Sequence, residues 1–269
     1  MAWKKTITIR LPDPGQTMMS YDLSWLDDPL RKQQPPEGSI DVGSLPRARR
    51  VKRRFGAVLS FMDPDIKPGQ MLRFHRKPAP AHLILACKDL DGEGDIPPSS
   101  PELAAFIPQR DQVARIIAFG RETWPASLMS HCHAGVGRSS AGALAILADR
   151  LGHGQEELAL DALLVICPWA VPNLAIIRHA DGLLERNGRL EGLVREWDAT
   201  RPWNQWRREQ NRLSIVTQAA GGTIPARHRM MRPPIPGIDG PLPERRFLTS
   251  EGAGMTGPVL DDEDGPEPI

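Results

Sequence analysis

The chain has 269 residues, of which 40% are hydrophobic and 25% charged, with a formal net charge of +1: enough for one substantial soluble domain with extensions, and too near neutral to point to any particular partner. No apolar run approaches the roughly 20 residues that span a bilayer, and Met1-Ala2-Trp3-Lys4-Lys5 leads into an alternating stretch unlike a signal peptide. Three cysteines, Cys87, Cys132 and Cys167, exclude a disulfide framework, so a reduced, cytoplasmic setting is expected.

Thr6-Ile7-Thr8-Ile9-Arg10 alternates like a short strand. A Pro-rich, basic stretch then runs to Arg54 and includes Arg47, Arg49, Arg50, Lys52 and Arg53. Residues 1–54 are read as a partly ordered N-terminal extension. The basic run lacks interleaved aromatics, which suits a solvated face better than a nucleic-acid surface. Ala57-Val58-Leu59-Ser60-Phe61-Met62, closed by Asp63-Pro64-Asp65, reads as a buried strand ending in a turn. A second apolar run, 82–87, ends in the acidic loop Asp89-Leu90-Asp91-Gly92-Glu93-Gly94-Asp95. A helix is expected over roughly 100–122, and a third strand over 127–130. An Ala-rich helix follows Arg138 and stops at Gly152 and Gly154. Further helices are expected over 155–167 and from about 172 to 184. Strands alternating with helices predict an α/β fold: a small, mostly parallel sheet flanked by helices. Residues 55–200 would form that domain. Residues 201–269 are read as a C-terminal extension, disordered from about 221, where Pro and Gly abound without periodicity.

The segment His131-Cys132-His133-Ala134-Gly135-Val136-Gly137-Arg138-Ser139 carries the chemistry. A strand delivers the chain to Cys132 and a helix starts near Arg138. Between them, Ala134, Gly135 and Gly137 allow a tight curl, and a nest of N–H groups at a helix N-terminus suits a phosphate dianion. The expected phosphate-binding residues are His133, Ala134, Gly135, Val136, Gly137 and Arg138. The same field favours a thiolate at Cys132, the nucleophile needed to attack phosphorus. Arg138, six residues after Cys132, can hold two phosphate oxygens with its planar fork. The Ser139 hydroxyl can donate to the Cys132 sulfur as it leaves. His131 should face away from the nucleophile and hold the loop by hydrogen bonds.

With that context, the segment resembles the phosphate-binding loop of the protein tyrosine phosphatase superfamily, in its compact dual-specificity-like branch. Gly137-Arg138-Ser139-Ser140, Gln155-Glu156-Glu157-Leu158-Ala159 and Pro172-Asn173 follow that branch in order and spacing. Phe61-Met62-Asp63-Pro64 and Ala180-Asp181-Gly182-Leu183-Leu184 resemble a bacterial subgroup of predicted tyrosine phosphatases. The resemblance spans about residues 55–190. It implies hydrolysis of phosphate monoesters on a phosphorylated protein or a small molecule, through phosphocysteine, without metal or other cofactor. It also implies a general acid, an Asp after the strand upstream of the loop. Asp89 stands there, with Asp91 and Asp95 as competitors in the same loop.

Other readings are weaker. His131-Cys132-His133 as metal ligands lacks a second ligand cluster. Cys87 reads as a buried strand residue, with a disulfide to an oxidised Cys132 as the sharper alternative. Trp197, Trp203 and Trp206 are expected to pack the end of the last helix onto the domain, and Asn173 to fix a turn beside the site. A catalytically weak module that binds phosphorylated partners is the rival to an enzyme.

Overall fold

The computed structural model describes residues 34–75 and 77–222, together with the backbone of 6–9 and 19–22. The tail expected to be disordered lies, from residue 223 onwards, outside the described residues. Near the N-terminus β1 (Thr6–Ile9) pairs antiparallel with β2 (Met19–Asp22).

The main sheet has four parallel strands in the order β3-β6-β4-β5: β3 (Ile40–Ser44), β6 (Leu128–Cys132), β4 (Ala57–Met62) and β5 (Ala81–Ala86). Strands β3, β4 and β6 are buried on nearly every residue. That suits a parallel sheet covered on both faces, and β3 is buried in this way although it stands at the edge. Helix α1 (Leu45–Val51) covers one face with a small cluster of Leu45, Ala48, Val58, Met62, Leu72 and Met129. The large core lies on the other face, under α2 (Arg110–Glu122), α3 (Arg138–Leu151), α4 (Glu156–Ile166), α5 (Leu174–Leu183) and α6 (Arg189–Ala199). Helix α7 (Pro202–Ala219) completes the described chain. Among the described residues no helix is long and apolar enough to cross a membrane.

The expected α/β architecture is therefore the one observed, with differences in detail. The helix expected over 100–122 begins only at Arg110, after a short 3-10 segment, Pro101–Phe106. Pro108 is the reason: it disfavours helical geometry at the residue before it, and Ile107 is extended with ψ 141°. Strand β3 lies in the stretch read as N-terminal extension, and α7 in the stretch read as C-terminal extension. Both pack on the 55–200 segment.

The connection through α1 lies on one face and that through α2 on the other, so the chain reverses its winding beside β6. In open α/β sheets such a reversal opens a crevice at the strand carboxyl ends, where ligands bind. Cys132 is the last residue of β6.

Candidate active site

Along β6, Leu128 and Cys132 belong to the main core and Met129 to the cluster under α1, so Cys132 and His131 take opposite faces. Beyond Cys132 the chain turns tightly before α3 starts at Arg138. Gly135 is required twice over there. Its φ is +77°, and a Cβ on it would stand 2.5 Å from both the carbonyl carbon of Gly43 and the nitrogen of Ser44 at the end of β3.

The loop's carbonyls are engaged from outside. The His133 carbonyl accepts from Leu45 N–H at 3.2 Å, that of Val136 from Val171 N–H at 3.1 Å, and that of Gly137 from Asn173 N–H at 3.3 Å. Beneath the loop, the Cys167 thiol lies 3.7 Å from the Gly135 carbonyl. Across a trans peptide the next N–H points the opposite way, so the N–H groups of Ala134, Val136, Gly137 and Arg138 turn inward. Gly135 N–H donates to Cys132 Sγ at 3.2 Å. The curl is thus a cradle of donors closed by the N-terminus of α3, suited to an anion.

Around the sulfur, Ser139 Oγ lies 3.2 Å from Cys132 Sγ, and Ser130 Oγ donates to the Ser139 carbonyl at 2.8 Å. Arg138 is buried, and one of its terminal nitrogens donates to Asp63 Oδ1 at 2.8 Å and to the Cys87 carbonyl at 2.5 Å. Burial works against its charge, but Asp89, Asp63 and the thiols of Cys132 and Cys87 raise its pKa above the ordinary arginine value. His131 is fully buried behind the loop, with Nε2 2.6 Å from Ser60 Oγ, which in turn lies 2.7 Å from His82 Nε2. Burial pulls its pKa down to about 4, so its ring is neutral at neutral pH and serves as a hydrogen-bonding strut.

The three acidic candidates separate cleanly. Asp89 rests against the loop: a Cβ on Gly137 would stand 2.7 Å from its Oδ1. It accepts Asn173 Nδ2 at 3.0 Å and Asn211 Nδ2 at 3.1 Å. Burial pushes its carboxyl above the ordinary aspartate range and Asp91 adds to this; Arg138, Asn173 and Arg207 pull the other way. Asp91 is instead tied to Arg208, at 2.8 Å from each oxygen, and to Leu174 N–H at 2.7 Å. Asp95 accepts the Asp91 N–H at 2.7 Å. The last two carboxylates shape the acidic loop.

No protein-family model matches the chain, nor does any curated protein. Among solved structures it is similar to DUSP15, with a TM-score of 0.38 and 18% identity over 59% of this chain and 92% of that one. Tk-PTP in its active form gives a TM-score of 0.36 and 19% identity over 56% and 94%. Human DUSP28 gives 0.35 and 18% over 56% and 95%. These likenesses are distant.

Cys87 does not neighbour Cys132 across adjacent strands, as the disulfide alternative required. Strand β4 lies between β5 and β6, and burial pushes the Cys87 thiol up to about 12, far from a reactive thiolate. Asp63, a turn residue by sequence, holds Arg138 in the structure. Arg207, Arg208 and Asn211 belong to no motif, and the signal for them is their spacing along one polar helix after Trp203. Trp203 itself is buried with Val136 and Val171, stacked on Trp206 at 5.2 Å between ring centroids. Helix α7 is thereby fastened to the loop.

Proposed function

We propose that this chain is a cysteine-dependent phosphatase that hydrolyses phosphate monoesters through phosphocysteine. Phosphotyrosine or phosphoserine/threonine on proteins is the substrate class that the sequence resemblance suggests. The observation that carries the reading is the Asp89 carboxylate resting on Gly137, because it brings a proton donor to the same cradle as Cys132 and Arg138.

In the first step the Cys132 thiolate attacks phosphorus, the bond to the ester oxygen breaks, and protonated Asp89 gives that oxygen its proton. Burial raises the Asp89 pKa above the ordinary aspartate value, a direction that suits a proton donor. The inward N–H groups and Arg138 stabilise the charge on the equatorial oxygens. Asp63, which touches Arg138 and not the phosphate, is a positioning residue. In the second step water attacks phosphorus and gives a proton to the Asp89 carboxylate, while the S–P bond breaks. The Ser139 hydroxyl donates to the departing sulfur, and inorganic phosphate is released.

The test is turnover of para-nitrophenyl phosphate in reducing buffer, with and without chelator. Turnover indifferent to chelator is expected. Cys132→Ser should lower it by roughly 10⁴-fold or more while still binding inorganic phosphate. Binding of phosphate without any turnover by the unaltered chain would leave the recognition module as the correct reading. Unchanged turnover in Cys132→Ser would remove Cys132 from the mechanism.

A further inference from the structure

On α7, Trp203, Arg207 and Asn211 follow one another at intervals of four residues, which puts them in one stripe with about 5–6 Å between successive Cβ atoms. The ends of the stripe are anchored on the site. Trp203 packs on Val136 of the phosphate cradle, and Asn211 donates to Asp89 Oδ2 at 3.1 Å. Arg207 is therefore held between the cradle wall and the acid.

Its neighbours on the helix are matched with carboxylates. Arg208 pairs with Asp91 and Asp198, and Arg212 with Glu209. Arg207 differs. Its Nε is buried without a hydrogen-bond partner among the described residues. Burial works against its charge and lowers its pKa, and Asp89 and Cys132 are the negative groups that counter this. Arg207 as a whole is only half-buried, so its charge is partly desolvated without a hydrogen-bonded anion, and five N–H donors in a planar fork suit a carboxylate or phosphate.

We propose that Arg207 forms a second anion subsite, which recognises a carboxylate or phosphate carried by the leaving group of the substrate. The inference rests on the phosphatase reading. The scissile phosphate already has Arg138 and the loop N–H groups, whereas Asp89 marks where the ester oxygen must lie. Arg207 is one turn along α7 from Asn211, which holds Asp89, and on that ground it is assigned to the leaving-group side. The preferred substrates would then carry two anionic groups close together: an acidic or second phosphorylated position beside the phosphate ester.

The test uses the full chain in the Cys132→Ser background, so that binding is read without turnover. Affinities for phenyl phosphate, 3-carboxyphenyl phosphate and 1,3-phenylene bisphosphate are measured by calorimetry, with Arg207 intact, with Arg207→Gln and with Arg207→Lys. With Arg207 intact, at least one of the doubly anionic probes should bind about tenfold more tightly than phenyl phosphate. Which one does so tells a carboxylate from a second phosphate. Arg207→Gln should erase that preference and Arg207→Lys should keep part of it, with thermal melts checking that both variants fold. Equal weakening of all three probes by Arg207→Gln would mean that Arg207 serves the scissile phosphate, and the proposal would fall. Phenyl phosphate binding with no preference would also sink it, while leaving the phosphatase reading intact. Failure of all three probes to bind would sink both.

Discussion

The two halves of the candidate site are built in opposite ways. The Cys132 side is one continuous segment, β6, the cradle and α3, and the contacts to its sulfur span few residues, Cys132 to Ser139 and Gly135 N–H to Cys132, although Leu45, Val171 and Asn173 brace its outer carbonyls. The acid side is assembled from afar. Asp89 is held by Asn173 and Asn211, and Asp91 by Arg208, across separations of 84, 122 and 117 residues. The curl around the sulfur is set by backbone of one segment, braced by backbone N–H groups. A carboxyl held by side chains of two distant helices depends on the packing of both. The nucleophile side should therefore fail through chemistry and the acid side through geometry.

After Cys132→Ser, Arg138→Lys should be the most damaging change. A point charge cannot replace the fork, and loss of such stabilisation costs on the order of 10²–10³ in turnover. Near-normal catalytic efficiency in that variant would contradict the assignment.

Asp89→Asn should cost phosphotyrosine roughly 10²-fold and para-nitrophenyl phosphate only a few-fold, because a good leaving group departs without a proton. The descending basic limb of the pH–rate profile should flatten as well. Stability should move the other way. The folded-state pKa of Asp89 is raised above its unfolded value, so the folded chain holds this proton more tightly than the unfolded chain. Stability is then lost as pH rises from the ordinary aspartate value through the folded one. Asp89→Asn removes this loss, so its melting temperature relative to the unaltered chain should rise between pH about 4 and neutral pH, above a constant loss from the hydrogen bond that its amide cannot accept. A relative melting temperature that falls over that range would mean that the ionised carboxylate is the stabilising form. Asp91→Asn, which leaves Arg208 with Asp198 alone, should show weaker leaving-group dependence.

Truncation sharpens the contrast with the smallest expected effect on the cysteine. A chain ending at residue 222 should keep its melting temperature and its turnover of para-nitrophenyl phosphate. One ending at residue 200 loses α7, and with it the Asn211 bond to Asp89 and the Trp203 anchor on Val136. It should turn over phosphotyrosine about tenfold more slowly, yet still be alkylated at Cys132 by iodoacetate. Equal activity of the two chains would show that α7 does not hold the acid.

Much of the fold was legible because its signals are local. The buried run 57–62 and the Ala-rich helix after Arg138 each announce an element by composition and period. Strand β3 was missed because its five residues, Ile40–Ser44, sit between Pro-rich and basic stretches, and Gly43 and Ser44 interrupt any apolar run. What makes it a strand is pairing with β6, which no local pattern announces. The length of helix α7 was hidden for a related reason. Few of its residues are buried, so its apolar periodicity is weak, and its polar face makes the contacts.

By itself, then, the sequence determined the strand–cradle–helix segment, the alternation of strands and helices, and the order of Cys132, Arg138 and Ser139. These depend on backbone geometry and on side chains a turn or two apart. Only the tertiary structure decided which of Asp89, Asp91 and Asp95 meets the cradle, because the three share one short loop and one chemistry. Their separation arises from partners on α5 and α7: Asn173 and Asn211 draw Asp89 onto Gly137, and Arg208 draws Asp91 away. Chain distance hides such pairings, and packing alone creates them.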